Sequence, residues 1–469
     1  MVGEERRPRG VAFDRVAAYE RPEYLLSNTN LAVNWPLRID ARATNVNVEH
    51  RRMRKVRAPA PQLPRVAVIA FTTQPGLGSE YEVGWRWALL AGQAARAVVL
   101  TRRECFEAIP GRARQVGGIR AKRSHGATFV AVDLPFAPAL FPHRRLTRTH
   151  YLFWQVLVLA WLRRHRRSFD FAHHVNFVAA WFPPFAAFST LPLLWGPVGT
   201  NPPIPSAYLE MFGLAGKAKA LLRRFVTVEL VRNNPLLHLA APRITRAFAI
   251  TEYVRSLLPA RLQLRTDIHP AIALDGTWGT GLTAAGGASD LILFVGRAID
   301  VKLPRLAFDA AARAIAIRGK GEALLIGEHL SRFLADAPPA PGVTVRDSVT
   351  QDELREIYAT AGIFLFPSLE SSGFVTLEAM ANGLPVVTLT GTGAELFAGS
   401  EAGIAITPPS SYREAVEALA TAVVALLDDP IGRARMADAA RERVAQFEWT
   451  RYLPFVQEIY ADLAGSARG

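Results

Sequence analysis

Four residues in the second half of the chain have the types and spacing of a ligand site. Glu370 and Glu378 stand with seven residues between them in AGIFLFPSLESSGFVTLEAMANGLPVVTLTGTGAELF, residues 361–397. Arg297 directly follows an apolar run, Asp290 to Gly296, and Lys302 comes five residues later. One carboxylate can accept hydrogen bonds from sugar hydroxyls, and the two oxygens of the other suit the hydroxyl pair of a ribose. An arginine fork beside a lysine point charge suits a diphosphate. Together these groups point to a nucleotide sugar. Arg297 and Lys302 would neutralise the departing diphosphate electrostatically, so that the chemistry requires no metal and no cofactor.

The elements that position these residues can be read locally. Gly362 to Phe366 is apolar without alternation, as a parallel strand covered on both faces would be. Pro367 and Ser368 end it, and a polar loop carries Glu370 to Gly373. Phe374 to Asn382 reads as a short helix containing Glu378, capped by Gly383, and Leu384 to Leu389 as the next buried strand. The loop therefore lies at the carboxyl end of a strand, where open α/β sheets bind ligands. Gly373, Phe374 and Val375 begin the helix, whose unpaired N–H groups and positive dipole end suit a phosphate. Gly296, Arg297 and Lys302 occupy the matching turn after an earlier strand, before a helix over Pro304–Arg318.

The stretch FPSLESSGFVTLEAMANGLPVV resembles the donor-site motif of family 4 retaining glycosyltransferases (glycosyl transferases group 1), which have the GT-B architecture. The resemblance implies that Glu370 faces the donor sugar and Glu378 the nucleotide ribose. Gly296, Arg297 and Lys302 match the family's G-R-x4-K-G, with Leu303 in place of the last glycine. It also implies transfer with retention, the leaving phosphate acting as base, and a final helix crossing back to the first domain.

In the first half, Arg65 to Phe71 is a buried strand followed by TTQPGLGSEYEVGWRWALLAG, a glycine loop with Ser79 as candidate N-cap. This segment resembles a subgroup opening, "GSE..vGW", and Gly78 is a candidate for lining the cleft, the alternative being a plain turn. Arg96–Thr101 and Thr128–Asp133 read as further strands. Leu146 to Arg167 reads as a helix apolar nearly all round, which predicts burial, with a membrane-surface helix anchored by Trp154 and Trp161 as the alternative. His173 and His174 end the strand Phe169–Val175, and the resemblance places a cleft-facing histidine about here. His174 is the first candidate and His173 the second, against a hydrogen-bonded core histidine. LPLLWGPVGT resembles the subgroup's "WGPVGG", with Thr200 replacing glycine.

The chain has 469 residues, half of them hydrophobic and a fifth charged, which predicts a globular protein of more than one domain. A single cysteine, Cys105, excludes a disulfide framework and a cysteine-rich zinc site. No apolar run follows MVGEERRPRG and none is long enough for a bilayer span, which predicts a cytoplasmic, soluble protein. The net charge of +14 comes with no helix-turn-helix or aromatic-interleaved stripe, so nucleic acid is not the expected partner. Basic clusters at Arg51–Arg57, Arg144–Arg145 and Arg163–Arg167 suggest instead a peripheral contact with the inner face of a membrane, against a background of arginine-rich composition.

The expected fold is two Rossmann-like α/β/α domains facing an interdomain cleft. The expected divisions are an extension over 1–60, an acceptor domain over 61–274, a linker over 275–289, a nucleotide-sugar domain over 290–446 and a returning helix over 447–469. The expected activity moves a sugar from a UDP- or GDP-sugar to a glycan or lipid-linked acceptor in cell-surface polysaccharide or glycolipid synthesis. The alternatives are a sugar epimerase or phosphorylase on the same architecture, or a catalytically silent partner subunit.

Overall fold

A computed structural model describes residues 63–76, 79–116, 119–134, 146–177, 179–275 and 289–468. The extension over 1–60 and nearly all of the linker over 275–289 lie outside them. The apolar, unalternating runs of the first half become β1 (Arg65–Ile69), β2 (Arg96–Thr101), β5 (Ala127–Ala131), β6 (Phe171–His174), β7 (Leu193–Val198), β8 (Ile244–Ala249) and β9 (Thr266–Ile268). All pair in parallel, and most of their residues are buried, as strands covered by helices on both faces must be. A hairpin of β3 (Arg114–Val116) and β4 (Ile119–Ser124) closes the edge antiparallel to β5. Its sequences, RQV and IRAKRS, are too basic to read as strands, which suits an edge. The sheet order is β3-β4-β5-β2-β1-β6-β7-β8-β9.

The second sheet contains β10 (Leu291–Val295), β11 (Glu322–Ile326), β12 (Val343–Arg346), β13 (Ile363–Leu365), β14 (Val386–Leu389) and β15 (Gly403–Ile406), all parallel. Their spatial order, β12-β11-β10-β13-β14-β15, is 3-2-1-4-5-6 within the sheet. The chain winds outward one way from β10 and the other way from β13, so a crevice opens between those two strands at their carboxyl ends. The parallel part of the first sheet follows the same rule, with its reversal between β1 and β6. Two Rossmann-like α/β units are therefore present, as the resemblance implied.

The helix Trp449–Arg468 packs against the helix Ser79–Ala94 beneath the first sheet. Tyr452 donates its hydroxyl to the Ile272 carbonyl at 2.7 Å, and Trp87 its indole N–H to Ala271 at 2.9 Å. Gly84 allows the close approach of this first helix, because a Cβ there would strike the Thr72 carbonyl and Asn176. Asp428 ends one helix and Asp429 caps the next by accepting from the Gly432 amide at 2.8 Å, so this acidic pair is a helix junction.

The helix Thr147–His165 differs from the expectation of burial all round. Tyr151, Trp154, Val158 and Leu162 are in the core, but Leu152, Phe153 and Val156 are exposed. A single helix against one sheet buries only the face it lays down. Trp154, weighed as a membrane anchor, is fully buried with its indole donating to the Val132 carbonyl at 2.5 Å. Among the described residues no helix is long and apolar enough to cross a membrane.

Candidate active site

The turn after β10 and the loop after β13 lie on either side of the second sheet's crevice, and backbone bonds tie them together. Leu369 donates its amide to the Val301 carbonyl at 2.8 Å, and Ser368 takes the Glu370 amide at 3.1 Å. This holds Lys302 against Glu370, Nζ to Oε2, at 2.9 Å, with the ammonium 5.1 Å from the centre of the Phe366 ring. Gly296 keeps the lysine stem in place, since a Cβ there would come within 2.9 Å of its Cδ. Arg297 is exposed to the crevice and has no carboxylate partner among the described residues. Leu303, where the family motif has glycine, adopts the left-handed conformation (φ 47°, ψ 49°) that starts the helix Pro304–Arg318. The position thus requires the geometry glycine gives freely, and a buried leucine supplies it under strain.

Gly373 is the N-cap of the helix Phe374–Ala381 in an extended conformation, and no side chain caps that end. Its first amides are open to a cavity of about 900 Å³ lined by Arg297, Lys302, Glu370, Gly373, Phe374 and Val375. Glu378 lies deeper, half-buried, accepting the Tyr358 hydroxyl at 3.1 Å. Burial holds its carboxyl above the ordinary range, with Tyr358, Lys302 and Arg355 opposing. Neither Gly296 nor Glu378 lines the cavity itself.

The other wall comes from the first sheet. Glu80, Arg148, Tyr151, Phe177, Asn201 and Arg223 line it, drawn from five separate segments. Glu80 accepts the Phe177 amide at 3.2 Å. Its side chain is open to the cavity yet enclosed by protein, and desolvation raises its carboxyl above the ordinary range while that amide lowers it. Asn201 accepts from the amide and hydroxyl of Ser371, at 3.0 and 3.3 Å, linking the loop after β7 to the Glu370 loop. Thr200 lines the cavity without a left-handed backbone, so the glycine it replaces is not needed for conformation.

His173 and His174 do not face the cavity, contrary to expectation. Successive strand residues point to opposite faces, and both faces of β6 are covered. His173 bonds through Nδ1 to the Tyr460 hydroxyl at 2.7 Å and through Nε2 to the Gly196 carbonyl at 3.0 Å. On the other face, His174 Nε2 pairs with the Tyr151 hydroxyl at 3.0 Å. Burial pushes both imidazoles down to about 3. Gly78 lies outside the described residues.

Residues 289–429 match the family model of glycosyl transferases group 1. The fold is GT-B. Structures similar to it include sucrose-phosphate synthase from Thermosynechococcus elongatus, at 16% identity and TM-score 0.54 over 86% of this chain and 100% of that one. Another is the Anabaena protein HepE in complex with UDP and glucose, at 15% identity and TM-score 0.51 over 85% and 100%. At such identities the likeness is one of fold. In sequence, the chain is 31% identical over 189 residues to D-inositol 3-phosphate glycosyltransferase 2 of Catenulispora acidiphila, covering 36% of this chain and 43% of that protein. It is 36% identical over 120 residues to α-maltose-1-phosphate synthase of Mycolicibacterium smegmatis, covering 25% and 31%. The chain spans less than half the length of these curated relatives.

On the wall from the first sheet, only Glu80 carried a sequence signal, as part of the GSE stretch. Arg148 and Arg223 are two cations among 55 lysines and arginines, and nothing local sets them apart.

Proposed function

We propose that the protein is a retaining glycosyltransferase that moves a sugar from a nucleoside diphosphate donor, UDP-sugar first and GDP-sugar second, to a glycan or lipid-linked acceptor. The observation that supports this most is the convergence of Arg297, Lys302, Glu370 and the uncapped start of the helix Phe374–Ala381 on one cavity shared with the first sheet. The similar Anabaena structure in complex with UDP and glucose favours a uridine donor. Glu378 takes the ribose hydroxyls and Glu370 orients the sugar. Arg297, Lys302 and the amides at Gly373–Val375 stabilise the diphosphate as its bond to the anomeric carbon breaks. The acceptor oxygen forms its bond on the same face, and its proton passes to the departing phosphate oxygen. Glu80 accepts from acceptor hydroxyls on the opposite wall. Incubation with a panel of UDP-, GDP- and ADP-sugars, with and without acceptor extracts, tests the reading through release of free nucleotide. Acceptor-dependent release supports it. Turnover of a donor without any acceptor points to an epimerase or phosphorylase, and no turnover with any donor to a silent subunit.

The reading extends to a cytoplasmic protein at the inner face of a membrane, engaged in cell-surface polysaccharide or glycolipid synthesis. The helix Leu214–Arg224 and the π-helical stretch that continues it expose Leu214, Leu221, Leu222, Arg224 and Phe225, with Lys217 half-buried beside them. An exposed apolar stripe interleaved with cations suits an anionic lipid surface. Leu222 and Arg223 also line the cavity, so a lipid-borne acceptor would enter there. Of the three basic clusters expected to make this contact, Arg51–Arg57 and Arg144–Arg145 lie outside the described residues. In the third, Arg163 is engaged with the Phe188 carbonyl at 3.1 Å.

A further inference from the structure

The cavity carries cations on both of its walls. Arg148, Lys219 and Arg223 line it on the first-sheet side, facing Arg297 and Lys302 on the second. Lys219 is paired with Asp300 at 2.6 Å and Lys302 with Glu370 at 2.9 Å. Arg297 and Lys302 face the donor diphosphate on the second-sheet side. Arg148 and Arg223 lie on the opposite wall, neither with a carboxylate partner among the described residues.

Arg223 sits where an arginine is costly, while Arg148 is exposed at the rim. Arg223 is half-buried, and burial pulls its guanidinium below the ordinary arginine range, as does the like charge of Arg148, while Asp300 and Glu370 act the other way. Arg148 occupies the first turn of the helix Thr147–His165, where the dipole disfavours a cation and no acidic residue offsets it. Its guanidinium lies 5.1 Å from the centre of the Trp181 ring, which holds it at the cavity edge. Two like charges lining one cavity wall, neither with a carboxylate partner among the described residues, favour an anion beside them.

We propose that Arg148 and Arg223 form an anion subsite for the acceptor, and that the acceptor carries a phosphate ester. The inference rests on the transferase reading above. A carboxylate has two oxygens and is filled by one guanidinium fork, whereas a phosphate offers three and accommodates two forks. Glu80 on the same wall takes hydroxyls, so the acceptor is a polyol or sugar bearing phosphate. The phosphate belongs either to a soluble ester or to a lipid headgroup reached past Leu221, Leu222 and Phe225.

The full chain saturated with UDP, which occupies Arg297 and Lys302, is titrated calorimetrically with inorganic phosphate and glycerol 3-phosphate, with glycerol as the uncharged control. In a second arm it is sedimented with phosphatidic acid vesicles, whose headgroup is a phosphate monoester, or with phosphatidylcholine vesicles as the control. We expect an anion-dependent signal that R148Q/R223Q weakens about tenfold, as loss of charge-assisted hydrogen bonds does. UDP affinity, measured alone, should stay near wild type. Sensitivity to the variant in the soluble arm only assigns a free phosphate ester, and in the vesicle arm only a lipid headgroup. The proposal is overturned by wild-type protein that binds no phosphate in either arm, or by a double variant that binds as well as wild type. Loss of UDP affinity equal to the loss of phosphate would also overturn it, moving the arginines to the donor side. A wild-type protein that binds phosphate through these arginines but binds no nucleotide would defeat the transferase reading and leave the anion subsite standing.

Discussion

At the scale of single residues, the cavity asks different things of its two donor-side cations. Arg297 is exposed and unpaired, so Arg297→Ala should leave the fold intact and lower kcat/KM by on the order of 10²–10³. Lys302 is buried against Phe366 and paired with Glu370, so Lys302→Met, which keeps the stem, is the informative change and should have a similar effect. Initial-rate kinetics beside far-UV circular dichroism check both, and near-normal turnover in the pair would remove them from the reaction. The two glutamates should separate by ligand. Glu378→Gln should weaken UDP itself, since the proposed reading gives Glu378 the ribose hydroxyls. Glu370→Gln should act mainly on the intact sugar nucleotide. Calorimetry with UDP and with UDP-sugar distinguishes these roles, and equal losses on bare UDP would refute the division.

At the scale of elements, the start of the helix Pro304–Arg318 shows how two local preferences compete. Leu303 holds a left-handed backbone that costs a β-carbon-bearing residue about 1–2 kcal/mol. Its side chain is 1% exposed, and removing a buried leucine costs about 2–5 kcal/mol. Burial is the larger quantity. Leu303→Gly, which restores the family motif, should therefore destabilise the protein by about 1–3 kcal/mol. Urea unfolding measures this, and a stabilised variant would mean that strain dominates.

At the scale of the whole molecule, His173 and His174 are buried neutral and His269 is half-buried. His173 and His174 are pushed down to about 3 and His269 to about 4, chiefly by burial. A depressed histidine binds its proton in the unfolded chain first, so its contribution is present above about pH 6.5 and is lost as pH falls toward the folded value. By pH 5 each should cost about 2 kcal/mol. Glu80 and Glu378, raised by burial, oppose this in part, because their ionisation is what the fold resists as pH rises. Stability should therefore fall between pH 7 and 5, and His269→Phe should make the fall shallower. His269 stacks on Phe455 with ring centres 4.0 Å apart, so a phenyl ring fits there. Urea midpoints at several pH values test this, an unchanged slope in the variant counting against it. The exposed stripe of the helix Leu214–Arg224 makes a second prediction. Co-sedimentation with anionic vesicles should be strong at low salt, weaken as screening shortens the reach of charge to about 8 Å at physiological ionic strength, and fall with Leu221→Asp. Binding indifferent to both changes would leave a soluble acceptor as the better account.

What the sequence determined by itself was local. The unalternating runs such as LILFV and RVAVI specify buried parallel strands because both of their faces need cover. The loop from Pro367 to Phe374 places Glu370 beside a helix start within a few residues of chain, so its chemistry was legible before any packing was known. The basic hairpin of β3 and β4 was not legible, since edge strands lack the apolar pattern that marks a core. The tertiary structure alone decided the rest. Adjacent residues His173 and His174 went to opposite faces of β6, where Tyr460 and Tyr151 cover them, and no spacing rule reveals which faces are roofed. Glu80, Arg148, Asn201 and Arg223 meet on one wall only because the first sheet's strand order brings their loops to one end. A contact across such separations in chain is set by topology and register, quantities that a run of neighbouring side chains does not contain.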